Sequence, residues 1–272
     1  MMAERTNGKA DYREQVDTWT DMPESGLRWP LYERLKGPSQ YISDSVLPGY
    51  RAFTLEFMRE MTCLGQLVLR VLALGLGQSE NFFLDHFGEA EKCLHRMKWI
   101  HYPTPSALLA DLCGVHEHKD SGFISLVLPG KPGLEVAVDE NTGAKAETTR
   151  WQPAVAVPGA VIVNIGKSLQ ALTKGYYVAT THRVAHIEER YSAAFFYSPQ
   201  LSMSLAPILH GRRYENRQAA GKDRARSDSA HLSSALSTSE STVGDLVVSL
   251  VSRSYPHQAR TYLEDKPLQG RL

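Results

Sequence analysis

Hydrophobic and polar positions change their period along the chain. Between Pro48 and Leu74, the residues Phe53, Phe57, Met61, Leu64, Val68, Val71 and Leu72 recur at steps of three and four, which places them on one face of a helix. Gly75 and Gly77 follow where a helix C-terminus favours glycine, and a shorter helix is expected over Ser79 to Phe87. The first forty-odd residues mix Trp, Pro, Gly and charge without a sustained period and read as surface loops. After Lys98 short β-rich runs take over: Trp99–Tyr102, Val115–Lys119, Ile124–Leu128, Leu134–Val138, Val161–Asn164, Tyr176–His182 and Tyr191–Tyr197. Turn residues separate them, among them Pro129-Gly130, Pro132-Gly133, Asn141-Thr142-Gly143 and Pro158-Gly159. Short strands with regular turn signals predict a sandwich or barrel, not alternating βαβ units. One helical turn is expected around Lys167–Leu172.

From Gly211 to Thr242 the chain is first basic and then Ser-rich, a composition that buries little and predicts a linker. Val243 to Val251 then predicts a last helix that packs back. The expected organisation is a helix-rich part over 1–98, a β core over 99–205, and a linker with a C-terminal helix over 206–272.

Composition excludes several classes. Of 272 residues, 42% are apolar and 22% charged, which is ordinary for a globular protein and unlike a disordered chain. Thirty basic residues balance thirty acidic ones, so there is no broad field to draw nucleic acid or an anionic membrane. The basic run Arg212 to Arg226 holds six Lys/Arg against two acids and no aromatic stacking platform, so it reads as a solvated loop. Cys63, Cys93 and Cys113 form no CxxC pair and are odd in number, which fits a reducing, cytoplasmic setting. The start, MMAERTNGKADYREQ, has no apolar signal region, and Leu64 to Gly77 is too short and too interrupted to span a bilayer.

The most chemically loaded segment is Gly114–Gly122, GVHEHKDSG. On a strand, His116, His118 and Asp120 share one face, but the outer two stand about 13 Å apart, too far to share an ion. Two neighbours can hold a metal if a third ligand arrives from elsewhere. His182, in Thr180-Thr181-His182-Arg183-Val184, can supply it from across a barrel. His118, Asp120 and His182 then form a two-histidine, one-carboxylate set, the arrangement that suits non-haem Fe(II) with three open positions. His116 is expected to stay off the metal and to line the substrate pocket; His86, His95 and His101 are read as structural. Downstream, Arg190 and Ser192 share a strand face, and a guanidinium fork plus a hydroxyl is a receptor for a carboxylate. The plainer alternative for Arg190 is an edge-strand ion pair with Glu188 or Glu189.

In GVHEHKDSGFISLVL, PGAVIVNIGKSLQALTKGYYVATTHRV and RYSAAFFYSP the chain resembles the isopenicillin N synthase-like 2-oxoglutarate/Fe(II)-dependent dioxygenases, densely over Trp99 to Pro199 and loosely over Asp11 to Phe87. The resemblance implies a mainly β fold with flanking helices, a double-stranded β-helix or jelly roll. It also implies Fe(II) held by His118, Asp120 and His182, and 2-oxoglutarate held by Arg190 and Ser192 with Tyr102, from IHYP, beside it. The activity implied is oxidation of a small organic molecule by O2, giving hydroxylation, desaturation or ring closure. An oxidase that uses O2 without 2-oxoglutarate, and a catalytically silent jelly roll, are the alternatives. Lys119 and Ser121 replace the family's commoner neighbours of the carboxylate, and Ile100 stands where plant members often carry Asn. The His182-to-Arg190 spacing is about two residues shorter than usual, an even change that keeps both side chains on their faces. Nothing before Asp11 resembles the family's N-terminal module, so one edge of the sheet is expected to lie unpaired and to promote self-association.

Overall fold

In the computed structural model, the described residues are 5–6, 8–27, 29–104, 113–138, 150–185, 188–206, 208 and 241–263. Two short strands, β1 (Arg5–Thr6) and β2 (Lys9–Ala10), form a hairpin at the start. The main strands are β3 (Glu14–Trp19), β4 (Arg96–Tyr102), β5 (Val115–His118), β6 (Ile124–Pro129), β7 (Leu134–Val138), β8 (Arg150–Pro153), β9 (Ile162–Ile165), β10 (His182–Val184) and β11 (Arg190–Tyr197). The helices are α1 (Tyr50–Gly75), α2 (Phe82–Phe87), α3 (Lys167–Leu172), α4 (Val243–Ser254) and α5 (Pro256–Tyr262). All pairings are antiparallel, in a five-stranded sheet of order β3-β4-β11-β6-β9 and a four-stranded sheet of order β5-β10-β7-β8.

The larger sheet separates two chemistries. Met97 and Trp99 of β4, Phe195 and Tyr197 of β11, and Ile124 and Leu126 of β6 project outward onto α1 and α2, where they join Leu69, Ala73, Phe83 and Phe87 in the main core. The alternate positions project inward, toward the smaller sheet. A second, smaller cluster of Ile100, Tyr102, Val115, Leu134, Val184 and Ala194 fills part of that interior. Polar side chains, among them Ser125, Asn164, Arg190 and Ser192, share that inner face, and the site lies among them.

Four expectations change. The first forty residues are not loops alone: β3 pairs with β4 residue by residue, from Glu14 opposite His101 to Trp19 opposite Arg96. The edge of β4 is therefore covered, and the self-association argued from an open edge loses its basis there. Tyr176–His182 is not a strand. Its aromatics instead satisfy the carbonyls that end α1, with the Tyr177 hydroxyl donating to Leu72 O at 2.8 Å and that of Tyr176 to Gly75 O at 3.3 Å. The buried stripe of α1 is Tyr50, Thr54, Met58, Met61, Gly65, Leu69 and Ala73, whereas Phe53 and Val71, expected in the core, are 60% and 61% exposed. Finally, β8 was not foreseen. The basic and Ser-rich run lies outside the described residues, apart from its last two positions, Ser241 and Thr242.

Candidate metal and carboxylate site

His118 ends β5 and His182 begins β10, and the two lie opposite each other in register. Asp120 lies just past β5, where the chain turns. The turn is fixed by α3: the Lys167 amide donates to Asp120 O at 2.8 Å, the Ser168 amide to Gly122 O at 3.1 Å, and the Ser168 hydroxyl to Ser121 O at 2.8 Å. Folding this turn brings the carboxylate back over the two imidazoles. Asp120 Oδ1 stands 3.6 Å from His118 Nε2 and 3.8 Å from His182 Nε2, and the ligand atoms of the three side chains lie within 4.8 Å of one another. No other such cluster of three occurs among the described residues.

Each donor is held by its other atom. His118 Nδ1 donates to His116 O at 2.8 Å and His182 Nδ1 to Thr180 O at 3.0 Å, in each case the carbonyl two residues earlier. In the neutral ring this leaves the Nε2 lone pair free for a metal. Asp120 Oδ2 accepts from the Ser125 hydroxyl and, at 2.6 Å, from the Asn164 amide, which leaves Oδ1 for the metal. Burial opposes the charge of Asp120, but His182, His118 and the Ser125 hydroxyl outweigh it and hold the carboxyl well below the usual range. Burial lowers His182, so its ring favours the neutral, ligating form. Two imidazoles and a carboxylate, each already held by a hydrogen bond on its other side, fit Fe(II) and leave coordination positions open.

His116 does not line the interior. A bulge between β5 and β10 sets Val115 opposite Val184 and His118 opposite His182, so two residues, His116 and Glu117, stand against one, Arg183. His116 thereby leaves the face of His118 and turns to Asp11, with Nδ1 and the backbone amide each 3.2 Å from Asp11 Oδ1. Asp11, also bound by Thr6 and Arg13, ties the start of the chain to β5.

The second part of the site lies at the far end of β11. Arg190, Ser192 and Tyr102 all project inward and are all buried. The Arg190 guanidinium lies over the Tyr102 ring at 4.9 Å, and its Nε and Nη1 are buried without a hydrogen-bond partner. Glu188 pairs with Lys131 at 3.0 Å and Glu189 with His101 at 2.9 Å, so the edge-strand ion pair is absent. Burial lowers the Arg190 pKa, yet a guanidinium keeps its charge in proteins. An unpartnered buried cation is costly, and a carboxylate of matching fork geometry removes the cost. Two glycines make room here. A Cβ on Gly133, whose φ is +135°, would stand 3.1 Å from Arg190 Nη1, and one on Gly114 would stand 2.7 Å from the Tyr102 ring. Sequence reasoning missed Ser125 and Asn164, although a lone polar residue inside ISLVL and another inside VIVNIG were visible signals.

The sequence pattern of the 2OG-Fe(II) oxygenase superfamily matches residues 97–199. A 2-oxoglutarate-dependent dioxygenase of Gibberella zeae is 32% identical over 196 residues, 67% of this chain and 46% of that protein. The 2-oxoglutarate-dependent dioxygenase frbJ of Dothideomycetidae sp. is 32% identical over 199 residues, 71% of this chain and 51% of the relative. The chain thus spans about half the length of these curated relatives. Among solved structures, JOX2 in complex with 2OG, Fe and JA aligns with a TM-score of 0.56 and 26% identity, over 76% of this chain and 56% of that one. A full-length Neurospora crassa protein in complex with alpha-KG shares the fold at a TM-score of 0.60 and 21% identity, over 75% and 61%. Among the described residues no helix is long and apolar enough to cross a membrane.

Proposed function

We infer, from a core that belongs to the 2OG-Fe(II) oxygenase superfamily over residues 97–199, that this chain is an Fe(II)- and 2-oxoglutarate-dependent oxygenase acting on a small organic molecule. The observation that carries the reading is the presence, on the facing sides of the two sheets, of an N,N,O donor cluster and a buried guanidinium whose Nε and Nη1 are unpartnered. His118, Asp120 and His182 hold the metal; Arg190 and Ser192 anchor the distal carboxylate of 2-oxoglutarate over the Tyr102 ring. When bound, Fe(II) with 2-oxoglutarate supplies the O2 chemistry, in which the keto acid is oxidised and decarboxylated to succinate. The chain's own residues orient both partners, keep the donors in their ligating forms and exclude water by burying Tyr102, Arg190 and Ser192. Hydroxylation, desaturation or ring closure of the substrate are the outcomes such a site offers. Three free cysteines support a reducing, cytoplasmic setting.

The test is anaerobic titration of the Fe(II)-loaded protein with 2-oxoglutarate, followed through its metal-to-ligand absorption. Arg190→Ala is expected to weaken binding by about 1.5–3 kcal/mol, roughly ten- to a hundredfold, and Arg190→Lys to recover part of it. Ser192→Ala is expected to cost about 1 kcal/mol. Replacing His118, Asp120 or His182 with Ala abolishes stoichiometric iron binding, and His116→Ala leaves it intact. Unchanged 2-oxoglutarate affinity in Arg190→Ala would overturn the reading in favour of an oxidase that needs no keto acid.

A further inference from the structure

The co-substrate anchor stands at the end of its strand pair. Arg190 is the first residue of β11, Tyr102 is the last of β4, and the two face each other in the final rung of that ladder. Ladder ends open first, because no further rung holds them. A guanidinium that has to offer a fixed fork at such a place needs a fastening from outside the ladder.

One imidazole on the opposite face of the sheet supplies it. Glu14 of β3, His101 of β4 and Tyr191 of β11 lie opposite one another in register, and project outward where Tyr102 and Arg190 project inward. Glu189 Oε1 lies 2.9 Å from His101 Nε2, and Glu14 Oε2 lies 3.0 Å from Nδ1. The Tyr191 ring stacks on the imidazole at 4.5 Å and 13°. Glu189 and Tyr191 are the two chain neighbours of Arg190, and His101 is the chain neighbour of Tyr102. Both halves of the inner pair are thus gripped from outside through one side chain. Glu189 is itself braced: Thr104 donates to its other oxygen at 3.3 Å, and Lys131 binds its carbonyl and the Glu188 carboxylate, each at 3.0 Å. Among the described residues, Glu14, Glu189 and Tyr191 are the ionisable groups against the ring, with Lys131 and Glu188 behind Glu189.

The clasp is complete in one protonation state. Two carboxylates can only accept, so both ring nitrogens have to carry protons, whereas a neutral ring has a single N–H. The bonds to Glu14 and Glu189 raise the His101 pKa above its usual 6.5, and the bond from His101 holds the Glu189 carboxyl below its usual range. His101 is therefore the member that titrates near neutrality, while Glu189 keeps its charge.

We propose that His101, with both ring nitrogens protonated, is the positioning residue of the co-substrate anchor, holding both neighbours of Arg190 so that the guanidinium meets the 2-oxoglutarate carboxylate already ordered. This rests on the oxygenase reading and adds a pH control to it. Ordering the anchor beforehand removes part of the cost of binding. Affinity is then greatest with the ring charged, and falls as pH rises and the ring loses its proton.

The test is anaerobic titration of the Fe(II)-loaded protein with 2-oxoglutarate from about pH 6 to about pH 8.5, read from the metal-to-ligand absorption. Affinity is expected to fall about three- to fivefold as pH rises, the scale of one exposed ion pair. Protonation of the metal ligands would weaken binding as pH falls, so the sign separates the two. His101→Gln and Glu189→Ala are each expected to bind as the parent does at the alkaline end, without the slope. Linkage also requires 2-oxoglutarate to raise the pKa of His101 by the same factor. That is read from its imidazole C–H resonance in the Zn(II)-loaded protein, with His101→Gln identifying the signal. Affinity independent of pH in the parent overturns the proposal without requiring any variant to fold. So does a slope that survives in His101→Gln, or a His101 pKa that 2-oxoglutarate leaves unmoved. A purely structural role would lower the urea midpoint of the variants and leave the affinity of the folded parent flat with pH. Failure of the parent to bind 2-oxoglutarate at any pH would overturn the oxygenase reading, and this proposal with it.

Discussion

Asp120 divides its work between two oxygens, one turned toward the histidines and the other held by Ser125 and Asn164. Removing either partner frees the carboxylate to rotate and leaves the ligand set less prepared. Ser125→Ala and Asn164→Ala are each expected to weaken metal binding roughly ten- to a hundredfold, read by competition with a chromophoric chelator. Affinity equal to the parent in both variants would show that α3 alone orients Asp120. At this scale His118, Asp120, His182 and Arg190 were legible, because their spacing and residue types carry the chemistry. His116 was misplaced because alternation assumes an unbroken strand, and the bulge beside it breaks that alternation.

Elements were legible where burial follows hydrophobicity and illegible where it does not. The inward positions of β3 are Gln15, Asp17 and Trp19, two of them polar, so the strand shows no apolar stripe although it completes the sheet. On α1 the contact stripe is built partly from small residues. Thr54, Gly65 and Ala73 let the helix lie close to the sheet, while larger neighbours such as Phe53 and Val71 stay outside. Gly65 marks the closest approach, since a Cβ there would stand 2.8 Å from the Tyr197 ring. Gly65→Ala gains about 1 kcal/mol of helix propensity but forces this contact apart. The net expectation is a loss of about 1–3 kcal/mol, seen as a lower urea midpoint with an unchanged slope. A raised midpoint would mean that α1 shifts outward without cost.

For the molecule as a whole, two histidines set opposite limits on stability against pH. His95 is buried against Tyr197, accepts the Ser198 amide at 3.2 Å, and is driven by burial from 6.5 down to about 4. Its contribution is present above 6.5 and is lost as pH falls toward the folded value, about 3 kcal/mol in all; the lowered His182 acts in the same direction. His101 lies between Glu14 and Glu189, whose hydrogen bonds raise it above 6.5. That exposed clasp contributes below 6.5 and is lost as pH rises through the raised value. The urea midpoint of the metal-free protein should therefore fall on both sides of a maximum. His95→Gln is expected to flatten the acid limb and His101→Gln the alkaline one; limbs unchanged in both variants would place the titrating groups elsewhere. Connectivity has a further consequence at this scale. The metal-capable cluster and the buried Arg190 guanidinium fall between Tyr102 and Ser192, whereas Asp17 comes from β3 and its partner Tyr255 from the junction of α4 and α5. Two segments 238 residues apart in sequence thus meet on one carboxylate oxygen, outside the stretch that holds the metal-capable cluster. A change in either flank is therefore felt in the other, while the cluster between them keeps its own hydrogen-bond supports.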